Sequence, residues 1–422
     1  PLSAQGRNPE AAGTHGRPAT RLALEPIGAL RRPLPILLVL LLAVALVQLL
    51  RPLPAVATSA LIHGPLVMGS APTIPWPAQG KAALAVEGLG QIGSAGGAAP
   101  SPMASTAKIM TALLTLETHP LAPGQPGPVL TVSRADVATY FAELNQNESV
   151  VPVSAGEQLT EYQLLEGLLL PSGSNYADML AKWVAGTVPA FINAMNARAI
   201  ALGMTATRYA DPSGFSPQTV SVPADLIKLA RVAMAIPALA AVVAEKQATL
   251  PVAGVIKNLD ILLGQDGIIG IKTGHTDQAG GCFVMAADLK VDGQTVRVYS
   301  AVLGQPNQLA GAFATTSALL RALTPSLHLR VVAARGDVVG RYQTAWGEAG
   351  VLVAASPVSF LLEDGTTVTR RVTLRPLASG LPSGSEVGTL VLETVSHRAE
   401  VPLVTAAAIQ GPDLGWRLTR GF

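Results

Sequence analysis

The sequence predicts an α+β protein with a C-terminal all-β domain and one N-terminal transmembrane helix. Three observations carry this. From about residue 76 to 324, apolar helical segments alternate with turn clusters and strand-type runs. After about residue 326 the helical segments give way to short β-type runs. Near the start, Pro33–Leu50 (PLPILLVLLLAVALVQLL) is an 18-residue run with one polar side chain, Gln48, and no charge.

Composition sets the outer bounds. The 422 residues are enough for two or three domains with a sizeable core. Apolar residues make up 49%, which excludes wholesale disorder, and charged residues only 13%. A net charge of +2 offers no basic surface for nucleic acid, so no nucleic-acid partner is expected. The single Cys282 excludes a disulfide framework and a cysteine-based zinc site. The six histidines are scattered and there is no HExxH, so no metal is expected. There is no GxxxxGK[ST] phosphate loop.

At 1.5 Å per residue the apolar run spans about 27 Å, close to a bilayer's hydrocarbon core. Arg7, Arg17, Arg21, Arg31 and Arg32 precede it against Glu10 and Glu25; Arg51 is the only charge between it and Lys81. The positive-inside rule then places residues 1–32 in the cytoplasm and the bulk of the chain outside. Two readings stand: a retained signal anchor, or a signal peptide cut after Ala55-Val56-Ala57. The run is longer than most signal-peptide cores, which favours the anchor. Residues 51–75 read as a linker, 76–325 as the principal domain and 326–422 as the β-rich domain.

Residues 81–86 (KAALAV) read as a first strand. Residues 104–117 (ASTAKIMTALLTLE) place Ile109, Met110, Leu113 and Leu116 on one helical face. Residues 161–170 form another helix, opened by a Thr160/Gln163 capping box. Residues 224–235 are a third, stopped by Pro237. Residues 268–273 and 282–288 read as strands around a Gly-rich turn. In the tail, residues 351–353, 358–362, 366–374 and 390–395 are β-type runs, with Asp364-Gly365 as a hairpin turn.

Three short motifs carry chemistry. Ser105-Thr106-Ala107-Lys108 is an S-x-x-K at a helix start, where positions i and i+3 share a face and the Lys108 amine meets the Ser105 hydroxyl. Serine is a poor nucleophile until a base removes its proton. A free lysine is almost wholly charged at pH 7, so Lys108 needs a depressed pKa to be that base. Pro171-Ser172-Gly173-Ser174-Asn175 follows the capped helix and offers hydroxyl and amide groups from a turn. Lys272-Thr273-Gly274-His275-Thr276 follows an apolar run, with Gly274 letting a ligand approach the backbone. Each triplet alone is a common pattern; their order is the signature set of penicillin-binding proteins and serine β-lactamases. Two lysines 4 Å apart repel by about 4 kcal/mol at an effective dielectric constant of 20, so Lys272 is expected to help keep Lys108 neutral.

The chain resembles the D-alanyl-D-alanine carboxypeptidases of the low-molecular-mass penicillin-binding proteins, peptidase family S11, over about residues 76–415. Residues 104–111 (ASTAKIMT) are similar to that family's nucleophile helix, and residues 272–280 (KTGHTDQAG) to its third motif. Met195-Asn196, Leu202-Gly203-Met204 and Asp211-Pro212-Ser213-Gly214-Phe215 are similar to its MN…LGM…P-x-G-[LF] stretch. The resemblance implies a penicillin-recognising serine-transferase fold: an antiparallel sheet flanked by helices, with a helical lobe and a C-terminal β-domain. It implies attack by Ser105 on the terminal D-Ala-D-Ala bond, Lys108 as base, Ser172 relaying a proton to the leaving D-Ala, and no cofactor. It assigns the backbone N–H groups of Ser105 and His275 to an oxyanion hole, and Lys272 and Thr273 to the substrate's terminal carboxylate. Peptidoglycan stem peptides are the implied substrates and β-lactams the implied inhibitors, at the extracytoplasmic face of a bacterial membrane, or in secreted form if the chain is cut after Ala57.

One departure concerns the second motif. The family pattern is S-x-N, whereas this chain has Ser172-Gly173-Ser174 with Asn175 one place later. Either Ser174 replaces the amide, or a shifted turn presents Asn175. The tail is also expected to lack the amphipathic C-terminal helix that anchors many relatives. Of the rival readings, a class A β-lactamase needs a deacylating Glu after the second motif. The only Glu between Asn175 and Lys272 is Glu245, with no suitable motif around it. A DD-endopeptidase and an inactive peptidoglycan- or β-lactam-binding relative remain as alternatives. Cys282 and Trp346 are expected in the core, Asp277 as a turn cap, and His275 as a backbone donor.

Overall fold

The computed structural model describes residues 33–122 and 124–421. The expected cytoplasmic tail, residues 1–32, lies outside the described residues. Helix α1 (Pro33–Leu50) follows, its leucines 55–74% exposed from Leu34 to Leu42 and at Leu46 and Leu50. Among the described residues no single helix is long and apolar enough to cross a membrane; the apolar stretch of α1 counts Leu34–Leu50.

The expected linker at 51–75 is instead partly sheet. Strands β1 (Ala57–Ala60) and β2 (Leu66–Met68) lie within it, and Val56 is buried and bridges Leu377. Their partners lie hundreds of residues later, which is why no local pattern announces them.

Strand β3 (Lys81–Val86) falls where expected and turns into β4 (Gly90–Ala95). A helical lobe follows: α2 (Lys108–Thr118), α3 (Arg134–Asn145), α4 (Glu161–Leu169), α5 (Ser174–Ala185), α6 (Val188–Ala201), α7 (Pro223–Met234) and α8 (Pro237–Val243). Both reciprocal bonds of the Thr160/Gln163 capping box form at the start of α4. Proline opens both α7 and α8, and their axes differ by 109° at the break.

The chain returns to the sheet as β5 (Ile268–Thr276), β6 (Gly280–Val291) and β7 (Gln294–Gln305). The five strands lie in the order β5-β6-β7-β3-β4, every neighbouring pair antiparallel. Side chains alternate across it. Ala83, Ala85, Val284 and Ala301 face the helical lobe. Ala82, Leu84, Phe283 and Met285 face α9 (Gln308–Leu323), where Phe283 meets Phe313 edge-on at 5.3 Å. Cys282 is fully buried, as expected of a small core residue.

The β-rich region comprises β8 (Leu327–Ala333), β9 (Val338–Gln343), β10 (Ala349–Ala354), β11 (Val358–Glu363), β12 (Thr366–Leu374), β13 (Glu386–Glu393) and β14 (Arg398–Thr405). Its main sheet runs β1-β9-β10-β14-β13-β12-β2, so the two N-terminal strands form its two edges. Strands β8 and β11 pair separately. Val339, Leu352, Leu390, Leu392, Val401 and Leu403 make its core, with Trp346 half-buried at the margin.

A six-residue helix, α10 (Leu414–Thr419), packs on the end of α1. Gln48 Nε2 donates to the Arg420 carbonyl at 3.1 Å, Arg420 Nη2 donates to the Gln48 carbonyl at 2.9 Å, and Trp416 meets Trp346 at 5.7 Å.

Candidate active site

Ser105 sits in a 3₁₀ turn, Ala104–Ala107, that runs directly into α2, whose first residue is Lys108. The i, i+3 spacing brings the two side chains together: Lys108 Nζ donates to Ser105 Oγ at 2.9 Å. The same amine donates to Ser213 O at 3.0 Å and to Ser174 Oγ at 3.3 Å. All three of its protons are used, and the lysine is fully buried while Ser105 stays partly open. Burial brings the Lys108 pKa down to about 8 against the opposing pull of Asp211, Glu148, Glu143 and Asp178.

The carbonyl of Ser213 is held by a loop with few alternatives. Asp211 Oδ2 accepts from Ser213 Oγ at 2.7 Å and from Phe215 N at 2.8 Å, and Thr111 Oγ1 donates to Pro212 O at 2.6 Å. Gly214 adopts φ +82, and a Cβ there would stand 1.9 Å from the Ala104 carbonyl. Only glycine fits this approach beside the nucleophile turn. The sequence showed these residues as a family stretch and gave them no role; a backbone carbonyl as ligand leaves no residue-type signal.

At the second motif Ser174, and not Asn175, reaches Lys108. Its Oγ is on Lys108, at the first position of α5. Asn175 does not face the cleft, against the substrate-binding role expected for it. It is 1% exposed, and both amide atoms are engaged by Val151: Oδ1 accepts from Val151 N at 2.9 Å and Nδ2 donates to Val151 O at 2.8 Å. Ser172 lies in the left-handed region at φ +71, its Oγ buried and without a hydrogen-bond partner among the described residues.

Strand β5 supplies the opposite wall. A Cβ on Gly274 would come within 2.7 Å of the Ser105 nitrogen, so the missing side chain lets β5 close against the nucleophile turn. Lys272 and Thr273 are buried on the same strand, and Lys272 Nζ donates to Thr273 O at 2.9 Å. Burial first, then the charge of Lys108, hold the Lys272 pKa well below its usual value, while Asp260 opposes them. The repulsion between the two lysines disfavours charging both at once. For Lys108 burial is the leading cause of the lowering.

Ser105, Ser174 and His275 line one cleft of about 350 Å³, together with Glu148, Phe215 and Asp277. His275 is exposed there. The turn after β5 is held by Thr276, whose Oγ1 accepts from Ala279 N at 3.0 Å, rather than by Asp277. Behind the cleft, Glu143 is pushed up to about 8, chiefly by burial, with Asp178 and Glu148 adding to it.

The chain is similar in sequence and in fold to known proteins. The sequence profile of Peptidase_S11, D-alanyl-D-alanine carboxypeptidase, matches residues 92–307. The chain belongs to this family. It is 38% identical over 193 residues to D-alanyl-D-alanine carboxypeptidase DacB2 of Mycobacterium tuberculosis, covering 44% of this chain and 62% of that protein. It is 31% identical over 196 residues to the D-alanyl-D-alanine endopeptidase of Pseudomonas aeruginosa, covering 44% of this chain and 58% of that one. The match therefore spans less than two thirds of these curated relatives. Among solved structures, the Streptomyces K15 DD-transpeptidase superposes with a TM-score of 0.52 at 28% identity, over 59% of this chain and 98% of that one. DacD of Francisella tularensis shares the fold over 80% of this S11 chain and 95% of its own, with a TM-score of 0.58 at 21% identity. The S11 fold here is thus the penicillin-binding α+β type with a strand-rich C-terminal region.

Proposed function

We propose that the protein is a serine D-Ala-D-Ala carboxypeptidase that removes the terminal D-Ala from peptidoglycan stem pentapeptides. The observation that carries this is the 2.9 Å bond from the buried Lys108 amine to Ser105 Oγ. With its pKa near 8, about one Lys108 in ten is neutral at pH 7, against about one in three thousand for a free lysine. Ser105 Oγ attacks the carbonyl of the scissile bond and Lys108 takes its proton. The developing oxyanion is held by the N–H groups of Ser105 and His275, where a lost donor typically costs about 3 kcal/mol. The C–N bond breaks, and the proton taken by Lys108 reaches the leaving D-Ala nitrogen through the Ser172 hydroxyl, which gives one proton as it receives the other. Lys272 and Thr273 receive the terminal carboxylate, whose charge favours the protonated form of Lys272. Water then cleaves the acyl-enzyme and returns Ser105.

The test is D-Ala release from a peptide ending in Lys-D-Ala-D-Ala by the detergent-solubilised full chain, with Ser105→Ala as control. Release by the parent and none by the variant supports the reading; no release by folded parent overturns it. A cross-linked muropeptide in the same assay separates endopeptidase action. β-Lactams are the proposed inhibitors, read as a covalent mass increase that Ser105→Ala abolishes.

We also assign residues 76–325 to the catalytic domain, residues 326–422 to the β-domain, and α1 to a retained membrane anchor at the extracytoplasmic face. Its exposed leucines suit lipid, and cleavage after Ala57 would separate Val56 and Ala57 from the sheet they are built into. The intact mass of the protein recovered from membranes decides between retention and cleavage.

A further inference from the structure

Residue 174 offers a hydroxyl where the related motif carries an amide, and a hydroxyl has a single proton and a shorter reach. The structure places Glu148 beside that hydroxyl. Glu148 lies in the turn after α3, half-buried, and lines the same cleft as Ser105 and Ser174. Its turn is fixed on both sides. Glu148 N donates to Glu143 O at 3.1 Å, with Asn147 in the left-handed region at φ +61. On the other side Ser174 N donates to Ser149 O at 2.7 Å, and Asn175 locks Val151 through the two amide bonds already described. Asn175 thus fastens the Glu148 segment to the start of α5. Ser174 Oγ accepts from Lys108 at 3.3 Å, and Ser174 and Glu148 border the same cleft.

We propose that Glu148 is a positioning residue for the reaction assigned above: its carboxylate accepts the Ser174 proton, so that Ser174 Oγ keeps its lone pairs toward Lys108 and aligns that amine on Ser105. Ser174 and Glu148 together then span the place of one side-chain amide. The inference rests on the Ser105–Lys108 reading. Groups facing Glu148 come from every surrounding element: Lys108 from α2, Glu143 from α3, Asp178 from α5, Asp211 from the loop before α7, and His275 and Asp277 across the cleft. Burial, with Asp211 and Asp178, raises the Glu148 carboxyl; the Ser174 hydroxyl and Lys108 oppose that rise. Protonation would remove the charged acceptor and release Ser174, so activity declines on the acid side.

The experiment is a mutant cycle on the full chain in detergent, scored by D-Ala release across pH and by acylation with a fluorescent penicillin. Glu148→Gln is expected to lower kcat about 10- to 100-fold with little change in KM, a loss of general-base efficiency of the size set by misplacing the proton acceptor. The same change made together with Ser174→Asn is expected to cost less than threefold relative to Ser174→Asn alone, because the amide needs no carboxylate behind it. Should Ser174→Asn fail to fold, Ser174→Ala serves: adding Glu148→Gln to it then costs nothing further. An equal loss from Glu148→Gln with and without the change at 174, or no loss at all, overturns the proposal. If the parent neither releases D-Ala nor takes up penicillin, the carboxypeptidase reading itself has failed. If the parent does both and Glu148→Gln is silent, only the role of Glu148 has failed.

Discussion

The catalytic unit and the C-terminal sheet bury different chemistry. Around the cleft the interior holds Lys108 and Lys272, and elsewhere in that unit Glu161, Asp225 and Asp260 are buried. Glu161 has both carboxylate oxygens unpartnered among the described residues, as does Asp260 one. In the C-terminal region the buried polar side chains among the described residues are Ser326, Thr344 and Thr405, each hydrogen-bonded to a carbonyl. Its charged pairs, such as Arg375–Glu386 and Arg398–Glu400, lie at the surface with half or more of each side chain exposed, where such pairs contribute little. A buried ionisable group costs stability but acquires a shifted pKa. One region accepts that cost where proton transfer needs it; the other has no such need and is built from apolar burial.

Breaking the first region at its centre gives the largest effect. Lys108→Met is expected to lower kcat/KM by about 10³-fold or more while moving the melting midpoint less than a core truncation in the sheet does. Leu390→Ala is that truncation: a loss of about 2–5 kcal/mol of stability, read by chemical denaturation, with kcat of the folded fraction unchanged. Equal stability losses from the two would remove the contrast. The pH profile sharpens it next. Lys108 must be neutral to act, so kcat/KM is expected to rise with pH through about 8 and level off above; a limb centred near the ordinary lysine value would show that burial does not tune it. The smallest effect concerns Glu161, whose carboxyl burial pushes up to about 7. A raised carboxyl pKa leaves stability intact below the unfolded value and erodes it as pH climbs through the folded one. Glu161→Gln is therefore expected to raise the melting midpoint at about pH 9 and to leave it unchanged at about pH 4.

Sequence signals tracked local physics. The Thr160/Gln163 box, strand β3, the nucleophile helix and the Gly-rich turn after β5 were all legible because neighbours within a few residues decide them. Helix α3 was missed although it too has a complete capping box, Ser133 with Asp136: its apolar residues do not concentrate on one face. The meeting of Ser105 and Lys108 followed from helical spacing, whereas the choice between Ser174 and Asn175 stayed open because the inward turn of Asn175 depends on Val151 and its loop. Burial is the leading cause of the lowered pKa of both lysines, and it was not legible because it depends on every element packed around the site.

Strands β1 and β2 give the chain an unusual biosynthetic schedule. Both leave the ribosome early, yet β1 pairs with Tyr342 and its neighbours, and β2 with Thr366–Val368. At about 5–20 residues per second, the interval before those partners are made is on the order of tens of seconds. The two strands have no sheet partner for that time. Completion of the sheet is then a late event that draws the beginning and end of the chain together, and a chaperone that shields early strands would act here first.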